Sequence, residues 1–184
     1  MVPGFTGSGP DHWQSHWERA RPDYLRLEQR DWDRPDPAEW VRALDERIAT
    51  FGAGVVLVGH SLGCITIARW ALLRVSGAIA GAMLVAPSDV EVASAPPEVR
   101  GFATIPMVPL GFESLVVSSD DDPLVTAQRA RGFAAAWGSR FISIGNAGHI
   151  NTASGHGPWP EGFGLLREFI DRCARSPGTR VATG

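Results

Sequence analysis

The five residues Gly59-His60-Ser61-Leu62-Gly63 place a serine between two glycines at the spacing of a nucleophile elbow, G-x-S-x-G. The turn is so tight that its flanking positions exclude side chains, hence glycine at both. Alone the motif is weak, but its setting strengthens it. The apolar run Val55–Val58 leads directly into the turn, and a segment with an apolar helical face leaves it at Leu62. The plainer alternative is a glycine-rich strand-to-helix turn with a helix-capping serine. A serine hydroxyl is a poor nucleophile and needs a base. Of the five histidines, His60 lies inside the elbow, where its side chain points away from that of Ser61. His149 closes Gly145-Asn146-Ala147-Gly148-His149, just past another apolar run, where an α/β sheet gathers its reactive groups. The alternative for His149 is an ordinary surface-loop histidine.

An imidazole base needs a carboxylate to fix its tautomer and to stabilise the imidazolium. Ser118-Ser119-Asp120-Asp121-Asp122-Pro123 follows the run Ser114–Val117, and the chain order serine, acid, histidine is then satisfied. The boundary at Pro123 favours Asp122, with Asp121 second. At least two of the three carboxylates suit a solvated turn or the N-cap of the next helix. Donors for a developing oxyanion come from the N–H after the nucleophile, here Leu62, and from an early loop, for which the N–H of Phe5 is the candidate.

These residues require a scaffold of strands and helices. Val55–Val58, Ala82–Ala86, Ser114–Val117 and Phe141–Ile144 are apolar runs of strand length, with Tyr24–Leu27 a weaker fifth. Runs without in-out alternation belong to strands covered on both faces, as in parallel sheets. Helical patterns lie between or beyond them at Ala38–Thr50, Leu62–Arg74, Val125–Trp137 and Phe163–Ala174. The alternation predicts an α/β layer fold with right-handed crossovers. Ser88–Phe112, rich in Pro, Gly and Ala, reads as a long surface excursion near the sheet's C-terminal edge. Met1-Val2-Pro3-Gly4 reads as the end of a strand whose body is missing, as from a clipped chain or a late start.

The 184 residues carry a net charge of -3, which offers no basic surface for nucleic acid. All the basic residues are Arg. Cys64 and Cys173 are too few for a disulfide scaffold and read as free thiols in a reducing compartment. No run of 18 apolar residues suggests a membrane span, and the N-terminus lacks a signal-peptide pattern, so cytoplasm is the expected location. His12 and His16, four apart, could share a helix face as metal ligands, but Trp13 stands where the zincin pattern needs Glu, and no third ligand is evident. No phosphate-binding glycine loop follows any strand. The expectation is therefore no metal and no cofactor. Trp13, Trp17 and Trp159 fall in loops near the catalytic edge. With His12, the pair Trp13 and Trp159 is the expected lining of a substrate pocket; the alternative is packing.

Beyond these local readings, several blocks resemble one family. They are Pro3-Gly4 through Gly7-Ser8-Gly9-Pro10, His12-Trp13-Gln14 with Trp17-Glu18, Gly59 to Gly63, Ser119 to Pro123, Ala147-Gly148-His149-Ile150-Asn151, and Gly157-Pro158-Trp159-Pro160-Glu161-Gly162. Together they resemble the small serine hydrolases of the retinoblastoma-binding protein 9 and YdeN type, from residue 2 to about residue 175. The resemblance implies a three-layer α/β-hydrolase fold, its mostly parallel sheet covered by helices on both faces and without a large lid. It also implies a triad that falls on Ser61, Asp122 and His149. The chain departs from the pattern at its short first strand, which bears on the Phe5 donor. It departs again at Leu62-Gly63-Cys64-Ile65-Thr66, where a retinoblastoma-binding L-x-C-x-E motif would need Glu in place of Thr66. The expected organisation is one domain over 1–175 with a flexible tail at 176–184. The expected activity is cleavage of a small ester, thioester or amide through an acyl-serine, with a small molecule as partner and neither nucleic acid nor membrane. The competing class is a non-catalytic protein-binding module on a hydrolase scaffold.

Overall fold

Four of the apolar runs become strands because β-branched and aliphatic residues fill both faces of a pleated sheet. A computed structural model of the chain describes residues 1–73 and 79–175. In it β1 (Val55–His60), β2 (Ile79–Val85), β3 (Glu113–Ser118) and β4 (Arg140–Ser143) lie in that order, every neighbouring pair parallel. Five helices cover the sheet: α1 (Trp13–Ala20), α2 (Pro37–Ala49), α3 (Leu62–Ala71), α4 (Ala127–Trp137) and α5 (Pro160–Arg175). Successive strand residues feed two separate cores. Leu57, Leu84 and Val116 pack with α2, α3 and α4, whereas Val58, Met83, Val85, Leu115 and Val117 pack with α1 and α5. The result is a three-layer α/β arrangement with helices on both faces.

Helix boundaries follow local chemistry. The Asp36 carboxylate accepts from the Glu39 N–H and Pro37 opens α2, while Trp40, Val41, Leu44 and Ile48 form its buried face. Thr126, not one of the aspartates, caps α4, and Gly138 closes it in the left-handed conformation at φ 69°. The loop from Asp120 to Val125 is thereby left free of the helix. Helix α5 begins at Pro160, three residues earlier than its periodicity indicated. Helix α3 ends at Ala71, so the last residue of its expected span, Arg74, lies outside the described residues, as does the expected tail at 176–184.

Two expectations are corrected. Tyr24–Leu27 is not a strand. It lies beside the first residues of the chain, where the Leu27 N–H donates to Met1 O at 2.8 Å. It forms no ladder with that neighbour. Val2 alone bridges to Gly59, donating to Val58 O at 2.8 Å and accepting from the His60 N–H at 3.1 Å. The Ser88–Phe112 segment is more than a surface excursion. Apart from a 3-10 turn at Pro97–Phe102 it has no regular structure, yet Val90, Val99, Phe102, Ile105 and Leu110 are buried in the core shared by α2, α3 and α4. Pro, Gly and Ala disguise this by breaking periodicity without preventing burial. No helix among the described residues is long and apolar enough to cross a membrane.

The seat of the first residues on α3 is testable at Gly63. A Cβ there would lie 2.1 Å from the Val2 carbonyl oxygen and 2.7 Å from that of Pro3, with backbone on both sides. Gly63→Ala is expected to cost about 1–3 kcal/mol in urea denaturation. Stability equal to the parent's would show that Val2 and Pro3 do not rest against this turn.

Candidate active site

Strand β1 ends at His60 and α3 begins at Leu62, so the whole reversal falls on Ser61, held at φ 54°, ψ −122°. A positive φ at a serine is sterically costly and persists only where surrounding contacts enforce it. Here they do. The Ser61 N–H donates to Val85 O at 3.0 Å, and Ser61 O accepts from the Cys64 N–H at 3.0 Å. Gly59 abuts Ile67 and the Cys64 backbone; a Cβ on it would approach Ile67 Cδ1 to 2.8 Å. Gly4 closes the third side, where a Cβ would meet Ser61 Cβ at 2.8 Å.

The turn lifts Ser61 Oγ to 2.9 Å from His149 Nε2. On the other side of the ring, His149 Nδ1 lies 2.9 Å and 3.0 Å from the two oxygens of Asp122. Nδ1 therefore carries the proton toward the carboxylate and Nε2 is free to accept from the serine hydroxyl. The Asp122 side chain is 0% exposed. Its Oδ1 also accepts from the Leu124 N–H at 2.8 Å, which fixes the carboxylate plane. The neighbouring aspartates turn elsewhere. Asp120 accepts from the Ser143 hydroxyl at 2.7 Å. Asp121 accepts from the Ser119 hydroxyl at 2.6 Å and from the Gly148 N–H at 2.7 Å. Those bonds, led by the one from Ser119, hold the Asp121 carboxyl below the usual carboxylate range.

The loop carrying His149 is bent by positive φ at Gly145, Gly148 and Ile150, and side chains pin its backbone from several directions. Asp121 holds the Gly148 N–H, and the Ser119 hydroxyl accepts from the Ala147 N–H at 2.9 Å. His60 Nε2–H donates to the His149 carbonyl at 3.0 Å, and Trp13 Nε1–H donates to the Ile150 carbonyl at 2.9 Å. His60, Ser119 and Asp121 are thus supporting residues that sequence reasoning missed. The in-turn position of His60 indicated only that it faces away from the serine. Burial holds the His60 ring neutral, well below its ordinary pKa, and the nearby His149 and His12 rings add to that. The buried Cys64 thiol, raised well above its ordinary pKa by desolvation, donates to Val85 O at 3.3 Å and packs as a small apolar group.

The backbone N–H groups of Leu62 and Phe5 have no acceptor among the described residues, and Gly4 brings the Phe5 segment against the elbow. His12, Trp13 and Trp159 lie elsewhere than expected. Trp13 is buried at the centre of an aromatic cluster with Trp17, Trp159 and His60. Trp17 Nε1–H reaches the Pro158 carbonyl at 2.9 Å. His12 caps α1, its Nδ1 accepting from the Gln14 N–H, and its Nε2 has no partner among the described residues. These three residues pack behind the His149 loop and line no part of the cavity bordering Ser61. That cavity, of about 60 Å³, has walls that include Phe5, Leu62, Val90, Val99 and Leu124.

Comparisons with known proteins place the chain in a family. A family profile described as serine hydrolase matches residues 1–168. The chain is 37% identical to a protein of Pectobacterium atrosepticum described as a YdeN-like hydrolase, with a TM-score of 0.83 over 94% of this chain and 89% of that one. The ydeN gene product of B. subtilis is 20% identical with a TM-score of 0.71, covering 91% of this chain and 95% of that one. A thermophilic esterase from Thermogutta terrifontis is 17% identical with a TM-score of 0.60, each chain covered to 92%. The last two show the shared α/β-hydrolase fold. No curated protein matches the sequence.

The buried histidines make a pH prediction. Desolvation, reinforced by Arg26, lowers the His12 pKa from 6.5 to about 4. Between those values the unfolded chain binds a proton that the folded chain refuses. Stability from this group is full above pH 6.5 and is lost as pH falls toward 4. His12→Asn keeps an acceptor at the cap but cannot titrate. Relative to the parent, it should lose up to about 3 kcal/mol less between pH 7 and pH 4 in denaturation experiments. Parallel stability profiles for the two proteins would refute the buried, neutral state of His12.

Proposed function

Because the chain belongs to the serine hydrolase family, we propose that it cleaves a small ester, thioester or amide through an acyl intermediate on Ser61, with His149 as base and Asp122 as its carboxylate partner. The observation that carries this reading is the unbroken hydrogen-bond chain from Ser61 Oγ through His149 to Asp122, built from three loops far apart in sequence. A structural role for each residue separately would not require that chain.

In the first half-reaction the substrate carbonyl carbon sits against Ser61 Oγ. His149 Nε2 takes the hydroxyl proton as the oxygen attacks, and the imidazolium is stabilised by the buried Asp122 carboxylate. The carbonyl oxygen becomes an oxyanion and accepts from the N–H groups of Leu62 and Phe5. His149 then gives the proton to the leaving oxygen, sulfur or nitrogen, and the acyl group remains on Ser61. Water repeats the sequence in the second half-reaction. His149 takes its proton, the acid departs and Ser61 regains its hydrogen. Asp122 does not move a proton; it keeps Nδ1–H in place so that Nε2 can accept.

Ser61→Ala should lower kcat on a p-nitrophenyl ester by about 10⁴-fold or more while the circular dichroism spectrum is unchanged. A rate above about a tenth of the parent's would overturn the assignment. Among the three aspartates, Asp122→Asn should cost about 10³–10⁴ in kcat and Asp120→Asn only a few-fold. If Asp120→Asn or Asp121→Asn is the inactive variant instead, the acid is not Asp122.

A further inference from the structure

The cavity beside Ser61 defines one side of the substrate. Its walls include Leu62 and Phe5, which supply the two proposed oxyanion donors, but not His149. A carbonyl oxygen held by those donors directs the chain on its acyl side into this cavity, whereas the leaving group must stay within reach of His149 Nε2. The cavity holds about 60 Å³. That is space for about four or five water-sized groups, enough for an acyl chain of about two to four carbons. Its floor is apolar, made by Val90 and Val99, and the apolar side chains of Val92 and Leu124 remain 40% and 43% exposed at its rim.

The walls are tied together rather than left to open. The Asp89 N–H donates to the Leu124 carbonyl at 3.0 Å, joining the Ser88–Phe112 segment to the loop after Asp122. Arg129 on α4 pairs with Asp89 at 3.1 Å and with Glu91, and stacks over Phe133. Glu91 in turn accepts from the Ile105 N–H at 2.7 Å. The carboxylate of Asp89 is also capped by the Glu91 N–H at 3.1 Å, so the one acidic side chain on the cavity wall is already neutralised. A charged acyl group would find no free counter-charge there.

Resting on the hydrolase reading above, we infer that this cavity is the acyl subsite and selects short, uncharged aliphatic acyl groups of about two to four carbons, with Arg129 the positioning residue that keeps it short. In an apolar pocket of fixed size each misfit methylene costs about tenfold or more in kcat/KM.

A series of p-nitrophenyl esters from acetate to decanoate tests this with the full chain, Ser61→Ala serving as the blank. The expected kcat/KM is greatest at acetate to butyrate and falls at least tenfold by octanoate. Two variants then separate pocket size from general damage. Arg129→Met frees the wall, and Val90→Ala deepens the floor without touching the ion pairs. Both should raise the octanoate-to-butyrate ratio of kcat/KM at least fivefold, with the circular dichroism spectrum unchanged. Ser61-dependent turnover that is flat or rising to octanoate overturns the subsite while leaving the hydrolase reading intact. An unchanged ratio in both variants does the same. Turnover no greater than the Ser61→Ala blank at every length overturns the hydrolase reading itself.

Discussion

Everything at the site depends on one backbone conformation, the positive φ of Ser61, and on the close packing that holds it there. Strand and helix could not join within a single residue otherwise. Gly59 lets the turn press on Ile67 and Cys64, Gly63 admits the carbonyls of Val2 and Pro3, and Gly4 lies against Ser61 itself. Three chain segments thus converge where side chains would forbid it. The strain of the turn, on the order of 1–3 kcal/mol, is offset by buried contacts around α3 and β1. Its consequence is chemical. The hydroxyl stands clear of the sheet, the N–H of Leu62 is left without an acceptor among the described residues, and Phe5 is carried to the same spot.

A serine so placed is useful only if His149 arrives within hydrogen-bonding distance, and His149 rides on an irregular loop. Loops hold position through backbone bonds to fixed side chains, because they lack a ladder of their own. Here Ser119 and Asp121 tie the loop to the end of β3, His60 ties it to the elbow, and Trp13 ties it to α1. The elbow, the acid turn and the histidine loop are therefore one mechanical unit. The aromatic cluster of Trp13, Trp17 and Trp159 is the back wall of that unit, which explains tryptophans near a site that none of them lines.

Much of this was legible in the sequence because it rests on local rules. Continuous β-branched runs mark doubly covered strands, and glycines two positions either side of a serine mark a turn without room for side chains. The order Ser61, Asp122, His149 follows from placing each at a strand end. The Pro123 boundary favoured Asp122, the aspartate that meets His149, although the helix starts later than that proline implies, at a Thr126 cap. What was hidden depends on tertiary partners. Tyr24–Leu27 has strand composition, but its backbone meets Met1 through isolated bonds rather than a ladder. The burial of Val90 and Val99 leaves no periodic trace in a segment rich in Pro and Ala. The supporting bonds of His60 and Asp121 run to backbone atoms many residues away, and the Arg129–Asp89–Glu91 group joins positions about 40 apart, so no spacing signals either.

The central claim is that the turn makes Ser61 a nucleophile which no other hydroxyl in the chain matches. Treatment of the folded protein with a fluorophosphonate probe, followed by intact mass measurement and peptide mapping, tests it most directly. The account predicts one phosphonyl adduct per chain, carried by the peptide containing Ser61, and loss of that adduct in His149→Ala. A folded protein that takes up no probe, or that carries the adduct on another residue, would contradict it.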